Sequence, residues 1–193
     1  MFLKVNKSVS EEELITGCKI GNSKAQRHIY EKYAGKMLGI CLRYVKEEPE
    51  AEDIMIKGFT RVFEKVDQYS GMGSFEGWIR RIMVNEALGY LRRNKNMYLE
   101  VEIEKAAYEP DYRLIDNSLE AEELVNMINE LPMGYRSVFN LYAIEGYSHK
   151  EIAEQMEISE NTSKSQLSRA RALLQKKLAE REESIKNMIG NEK

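Results

Sequence analysis

The sequence predicts an all-α protein: two small helical domains joined by an acidic linker. Apolar residues recur at threes and fours through residues 10–93 and 120–180, and the alternation of strands is nearly absent. Only three prolines occur in 193 residues, and one of them, Pro110, lies in the stretch between the two blocks. That stretch, 94–119, is poor in apolar residues and rich in acids: Glu100, Glu102, Glu104, Glu109, Asp111 and Asp116, with Glu120 adjoining.

The first block opens with Ser10 and Glu13, spaced as a capping box, and with Val9 and Leu14 placed as a staple. Helical periodicity runs through Leu14, Ile15 and Cys18, breaks at Gly21-Asn22 and resumes at Ser23. The stretch 23–46 then carries Ile29, Tyr30, Tyr33, Met37, Ile40, Cys41 and Tyr44, which recur at threes and fours. Pro49 suits the first turn of a third helix, which turns Ile54, Phe59, Val62, Phe63 and Val66 inward. The glycines and serines of QYSGMGS (68–74) make a loop, and 75–93 form a fourth helix.

In the second block a helix runs to Leu131 and stops at Pro132. The next spans about 134–145, with Val138, Leu141, Tyr142 and Ile144 as its apolar positions, and ends at Gly146. Residues 147–178 then read as two helices around a tight turn. Ser148 and Glu151 form a second capping box, with Tyr147 and Ile152 as its staple. Small Ala153 allows a close crossing, Ile158 fills the turn and Leu167 lies on the inner face, as in a helix-turn-helix. The charged tail after Leu178 is expected to fray. The linker reads equally as a disordered spacer or as a segment that orders on a partner.

Composition narrows the function. A hydrophobic content of 42% with 32% charged residues is ordinary for a soluble helical protein. No apolar run approaches the roughly 20 residues of a membrane span. The opening MFLKVNKSVSEEE has no signal-peptide core, so a cytosolic protein is expected. Cys18 and Cys41 sit inside helical patterns without metal-ligand spacing and read as buried thiols. His28 and His149 have no paired nucleophile, so neither an enzyme nor a bound cofactor or metal is expected.

Two helices carry polar faces suited to nucleic acid. Residues 160–177 hold Lys164, Arg169, Arg171, Lys176 and Lys177 against one acid, Glu160. On 75–93, at roughly 100° per residue, Trp78, Arg81, Asn85 and Arg92 fall within about 60° of one another, opposite Phe75, Ile79, Ile82, Met83 and Ala87. An indole between guanidinium groups and an amide can stack on bases, meet phosphates and hydrogen-bond a base edge. Ser70 and Ser74 add polar groups to the flexible loop before it, which could close over an extruded base. The competing reading of this helix packs Trp78 under that loop and leaves the arginines to solvent. For the hairpin, the competing reading is a solvated pair of helices. A net charge of −3 is low for a protein holding DNA alone. It fits either a DNA reader docked on a larger DNA-binding partner or a chain that does not bind DNA. An autonomous helix-turn-helix regulator would instead need a ligand pocket or a self-complementary face in 10–93.

AEDIMIKGFTRVFEKVDQYSGMGSFEGWIRRIMVNEALGYLRR resembles region two of bacterial sigma factors, and LPMGYRSVFNLYAIEGYSHKEIAEQMEISENTSKSQLSRARALL resembles their region four. Two such regions with a short linker resemble the extracytoplasmic-function group of the sigma-70 family, and GSFEGWIRRIMVN is similar to members from the Bacteroidetes. The resemblance implies a subunit that binds core RNA polymerase, through the β′ clamp helices and the β flap, and directs it to promoters. Ala51, Glu52, Asp53, Ile54 and Phe59 match the segment that docks on the clamp, with Ile56 and Lys57 where the family commonly has Gln and an acid. The loop with Ser70 and Ser74, and the helix with Trp78, Arg81, Asn85 and Arg92, match the part that opens the −10 element. The linker would thread toward the active centre and the RNA exit path. Ser148, Asn161, Thr162, Lys164, Ser165, Arg169 and Arg171 match −35 contacts. Ser163 and Gln166 stand where Val and Arg are common. An anti-sigma factor is the implied regulator.

Overall fold

A computed structural model of the chain describes residues 9–94 and 121–190, and every regular element among them is helical. The chain divides into two units, at Tyr90 and Leu91. The predicted linker, 94–119, lies outside the described residues apart from Asn94.

The first unit holds α1 (Glu11–Lys19), α2 (Ser23–Leu42), α3 (Glu48–Lys65), a 3-10 turn (Val66–Gln68) and all but the last three residues of α4 (Phe75–Arg93). Ser10 closes its capping box on Glu13, but Val9 stands 55% exposed, so the box caps α1 with little help from the expected staple. Asn22 caps α2 by accepting from the N–H groups of Lys24 and Ala25. α2 stops at Leu42, short of the predicted 46; Tyr44 and Val45 lie beyond its end and are nonetheless buried. Pro49 sits in the first turn of α3, where its missing N–H has no helical partner to lose. α1 packs on α2, and α2 on α3. Gly58 of α3 lets Met83 of α4 close in, since a Cβ there would meet the sulfur at 2.2 Å.

α1 is also tied to α2 by Glu11, whose carboxylate accepts from the Lys32 ammonium and from the Tyr33 hydroxyl. Those two donors hold its pKa below the ordinary carboxyl value, against a smaller opposing effect of burial. Cys18 and Cys41 are free buried thiols, and burial pushes Cys41 up to about 12.

The second unit holds α5 (Ala121–Asn129), α6 (Met133–Phe139), a π turn (Asn140–Ile144), α7 (His149–Met156) and α8 (Glu160–Gly190). α5 ends before Leu131, which lies in the following turn and is buried. The helix predicted over 134–145 is interrupted: the Glu145 N–H bonds to the Asn140 carbonyl five residues back. Val138 and Leu141 stay buried, while Tyr142 and Ile144, apolar positions of the same predicted helix, are 37% and 38% exposed. The wider turn rotates them off the inner face. Gly146, at φ 78°, reverses the chain before α7.

The tail after Leu178 does not fray: α8 continues to Gly190, a helix of 31 residues. Its inner stripe, with Ala170 and Leu174, packs against Ile128 of α5 and Leu131. Glu130 pairs with Lys177 and Glu123 with Arg181, which secures the helix beyond the apolar contacts.

Candidate nucleic-acid interface

α4 begins at Ser74, whose hydroxyl oxygen accepts from the Gly77 N–H at 3.0 Å. Phe75, Ile79, Met83 and Ala87 are buried as predicted, while Ile82 is only half-buried. Arg81, Asn85 and Arg92 are exposed, and Trp78 is half-buried. The indole stacks on Phe75 (5.6 Å between centroids, 15° between planes) and leans on Tyr69 (5.7 Å, 49°). Tyr69 in turn meets Phe75 edge-on at 5.0 Å and donates its hydroxyl to the Gly73 carbonyl at 2.8 Å. Trp78 thus packs beside the loop through Tyr69 and Phe75 and keeps part of its surface open. Gly71 and Gly73 take φ values of 80° and 82°, which lift Met72 to 87% exposure. Ser70 remains exposed at the tip, whereas the Ser74 hydroxyl oxygen is taken by the cap.

In the second unit, Ser148 both donates to the Glu151 carboxylate (2.7 Å) and accepts from the Glu151 N–H (3.3 Å). Its hydroxyl is thus engaged in starting α7, while the residue itself stays exposed. Ile152 is fully buried behind it. The turn passes through Glu157 in the left-handed region (φ 56°, ψ 46°). Ser159 then opens α8, its hydroxyl accepting from the Thr162 N–H at 3.0 Å and bonded to the Thr162 hydroxyl at 2.8 Å. Asn161, Lys164, Ser165, Arg169 and Arg171 are exposed, and Thr162 is half-buried. At about 100° per residue the five exposed side chains cover roughly 160° of the helix. Ser165 returns its hydroxyl proton to the Thr162 carbonyl (2.9 Å), and Lys164 stands 3.9 Å from Glu160, a loose surface pair of little strength.

Ser163 and Gln166 lie on the opposite face, 0% and 7% exposed, and so cannot meet a ligand in front of α8. The Ser163 hydroxyl is hydrogen-bonded to His149 Nδ1 at 2.9 Å. The His149 ring stacks on Tyr142 at 4.6 Å, and the Arg171 guanidinium lies 5.7 Å from the centre of that tyrosine ring. Burial, helped by Lys164 and Arg171 and opposed by Glu160, lowers the His149 pKa, so the imidazole is neutral at pH 7. Among the described residues no group of three His, Cys, Asp or Glu side chains could hold a metal.

Residues 29–97 match the model of sigma-70 region 2, and residues 121–174 that of sigma-70 region 4. The ECF RNA polymerase sigma factor SigW of Bacillus subtilis is 30% identical over 172 residues, which is 83% of this chain and 92% of that protein. The chain belongs to the sigma-70 family, in its extracytoplasmic-function (ECF) group. The ECF RNA polymerase sigma-E factor of Haemophilus influenzae is 26% identical over 182 residues (88% of this chain, 96% of that one). The RNA polymerase sigma-H factor of Pseudomonas aeruginosa is 26% identical over 181 residues (87% and 93%). As an ECF sigma factor the chain serves promoter-directed initiation of transcription by RNA polymerase.

The candidate docking face of this sigma factor lies on α3 and needs one correction. Ile54 and Phe59 are 1% and 3% exposed, so they support the helix from within and present nothing to a partner. Glu52 and Asp53 are exposed, as are Ile56 (55%) and Lys57. Lys57 reaches back to Asp53 at 2.5 Å and offsets its charge. No helix among the described residues is long and apolar enough to cross a membrane. The residues that sequence reasoning passed over are Tyr69, Tyr142 and His149. A π turn leaves no mark in hydrophobic periodicity, so Tyr142 reads only as one more apolar position, and His149 reads as isolated because its partners Tyr142 and Ser163 lie on other elements.

Proposed function

We propose that this sigma factor docks on core RNA polymerase through the exposed side of α3, around Glu52, Asp53, Ile56 and Lys57, with Ile54 and Phe59 holding that side in shape. Its region 4 rests on the β flap. α4 and the loop before it then engage the −10 element: Trp78 and Ser70 receive an unstacked base, while Arg81, Asn85 and Arg92 hold the strand. Unstacking costs a few kcal/mol per base, and stacking on the indole returns a comparable amount. α8 enters the major groove of the −35 element with Asn161, Lys164, Ser165, Arg169 and Arg171, and Thr162 contributes from its edge. The boundaries 10–93, 94–119 and 120–180 separate these tasks, and the acidic stretch between them runs along a basic channel of the polymerase.

The supporting observation is the pairing of two matched regions, in order, each with a polar face opposite a packed core. A net charge of −3 agrees with it, because the polymerase supplies the general affinity for DNA. The protein works in the cytoplasm without catalysis or a cofactor of its own. A partner that covers both DNA faces, an anti-sigma factor, keeps it inactive. The test is run-off transcription by core polymerase reconstituted with this chain on a randomised template pool. Defined start sites are expected. Their absence, together with tight duplex binding by the chain alone, refutes the proposal in favour of an autonomous regulator.

A further inference from the structure

We infer that Tyr142 is a positioning residue for promoter binding: its ring holds Arg171 at the edge of the polar face of α8. The inference rests on the reading of α8 as the −35 helix, and it starts from the π turn. On an uninterrupted helix Tyr142 would sit about 40° from Val138, which is fully buried. The wider turn brings the phenol out to 37% exposure instead, beneath the Arg171 guanidinium at 5.7 Å.

The ring is itself fixed. It stacks on His149 at 4.6 Å with 24° between planes, and His149 is bonded to the fully buried Ser163 hydroxyl at 2.9 Å. The chain of contacts Ser163–His149–Tyr142–Arg171 therefore leaves α8, crosses to α7 and the π turn, and returns to α8 one helical face away. A valine at 163, common in the family the chain resembles, has no group for His149 to bond. A flexible arginine loses rotamer freedom when it meets a phosphate, and a side chain already resting on a ring loses less of it. Arg169, on the other flank of the polar face, touches a second tyrosine: its Nη1 donates to the Tyr135 hydroxyl at 3.4 Å.

The test uses the holoenzyme and the promoter it selects from a randomised pool, with duplex affinity measured across a KCl series. Arg171→Ala is expected to lower affinity and to reduce the salt slope by about 0.9, one phosphate's worth. Tyr142→Leu, which keeps the bulk but not the π face, is expected to lower affinity about threefold, in the range of an exposed cation–π contact. In the Arg171→Ala background the same change should have no further effect, and Tyr142→Phe should behave as wild type. An equal threefold loss in both backgrounds, or a Phe variant as weak as the Leu variant, overturns the positioning role. An unchanged salt slope in Arg171→Ala removes Arg171 from the interface and overturns the inference while leaving promoter selection intact. A holoenzyme that selects no promoter overturns the underlying reading instead.

Discussion

Replacing Trp78 with alanine separates two jobs that one indole can do. The side chain is half-buried and makes two ring contacts, on Phe75 at 5.6 Å and on Tyr69 at 5.7 Å. Aromatic pairs contribute about 0.5–1.5 kcal/mol each beyond the area they bury, so losing both costs about 2 kcal/mol of domain stability through the ring contacts alone. For a unit of this size that lowers the melting temperature by about 10 °C and leaves most molecules folded. If the indole also receives an unstacked base, a further 1–3 kcal/mol disappears from the open complex alone. The opening rate then falls by about 5- to 150-fold, with the initial duplex complex almost unchanged. Permanganate reactivity of unpaired thymines follows opening, and filter retention at low temperature follows the closed complex. Trp78→Phe, which preserves a ring on Phe75, should recover most of the stability and part of the rate. A Trp78→Ala protein that melts about 10 °C lower yet opens promoters within twofold of wild type would show that the residue only packs.

The remaining predictions concern the frame. Glu11 has a folded pKa below the 4.5 of an unperturbed carboxyl, so its bonds to Lys32 and Tyr33 stabilise the fold above that pH and are lost as pH falls through the lowered value. The melting temperatures of wild type and Glu11→Gln should therefore differ at pH 7 and converge once the pH has fallen below that lowered value. Gly17→Ala puts a Cβ 2.6 Å from the Cβ of Ala25, and neither atom can rotate away. Overpacking of about 2 kcal/mol outweighs the roughly 1 kcal/mol helix preference of alanine, so chemical denaturation should show a net loss near 1 kcal/mol. Glu157→Gly relieves a left-handed backbone at the turn and should raise stability by about 1 kcal/mol in the same assay. Ser163→Ala removes the bond to His149 and should cost about 1 kcal/mol, read as a lower melting temperature.

Helix positions, caps and the two-unit plan were legible because they depend on short-range chemistry. Ser10 and Ser148 each begin a helix with a local hydrogen bond that the spacing to Glu13 and Glu151 encodes, whereas the caps at Asn22 and Ser74 fall in stretches read only as a break and a loop. The polar stripe of α4 was legible for the same reason, since helical geometry alone sorts Arg81 and Asn85 from Ile79 and Met83. What could not be read depends on one extra residue or on who reaches whom across helices. The π turn at 140–144 moved Tyr142 and Ile144 outward against their apolar character. Ile54 and Phe59 were assigned to a docking surface by resemblance, although their spacing on α3 already placed them inward. The hydroxyl of Ser148 caps α7, a use that the Ser148–Glu151 spacing did show. The length of α8 was missed because polar residues dominate its end, where Glu123–Arg181 and Glu130–Lys177 hold it rather than apolar packing.

At about 1.5 Å per residue, α8 is a rod of roughly 46 Å whose first turns carry the proposed reading surface. Its aim is set well behind the tip, where Ala170 and Leu174 bear on Ile128 and Leu131. A small tilt at that bearing becomes a larger displacement at Asn161. Trimming Leu131 or Leu174 should therefore blur which upstream sequences are chosen, even though neither side chain comes near a base pair.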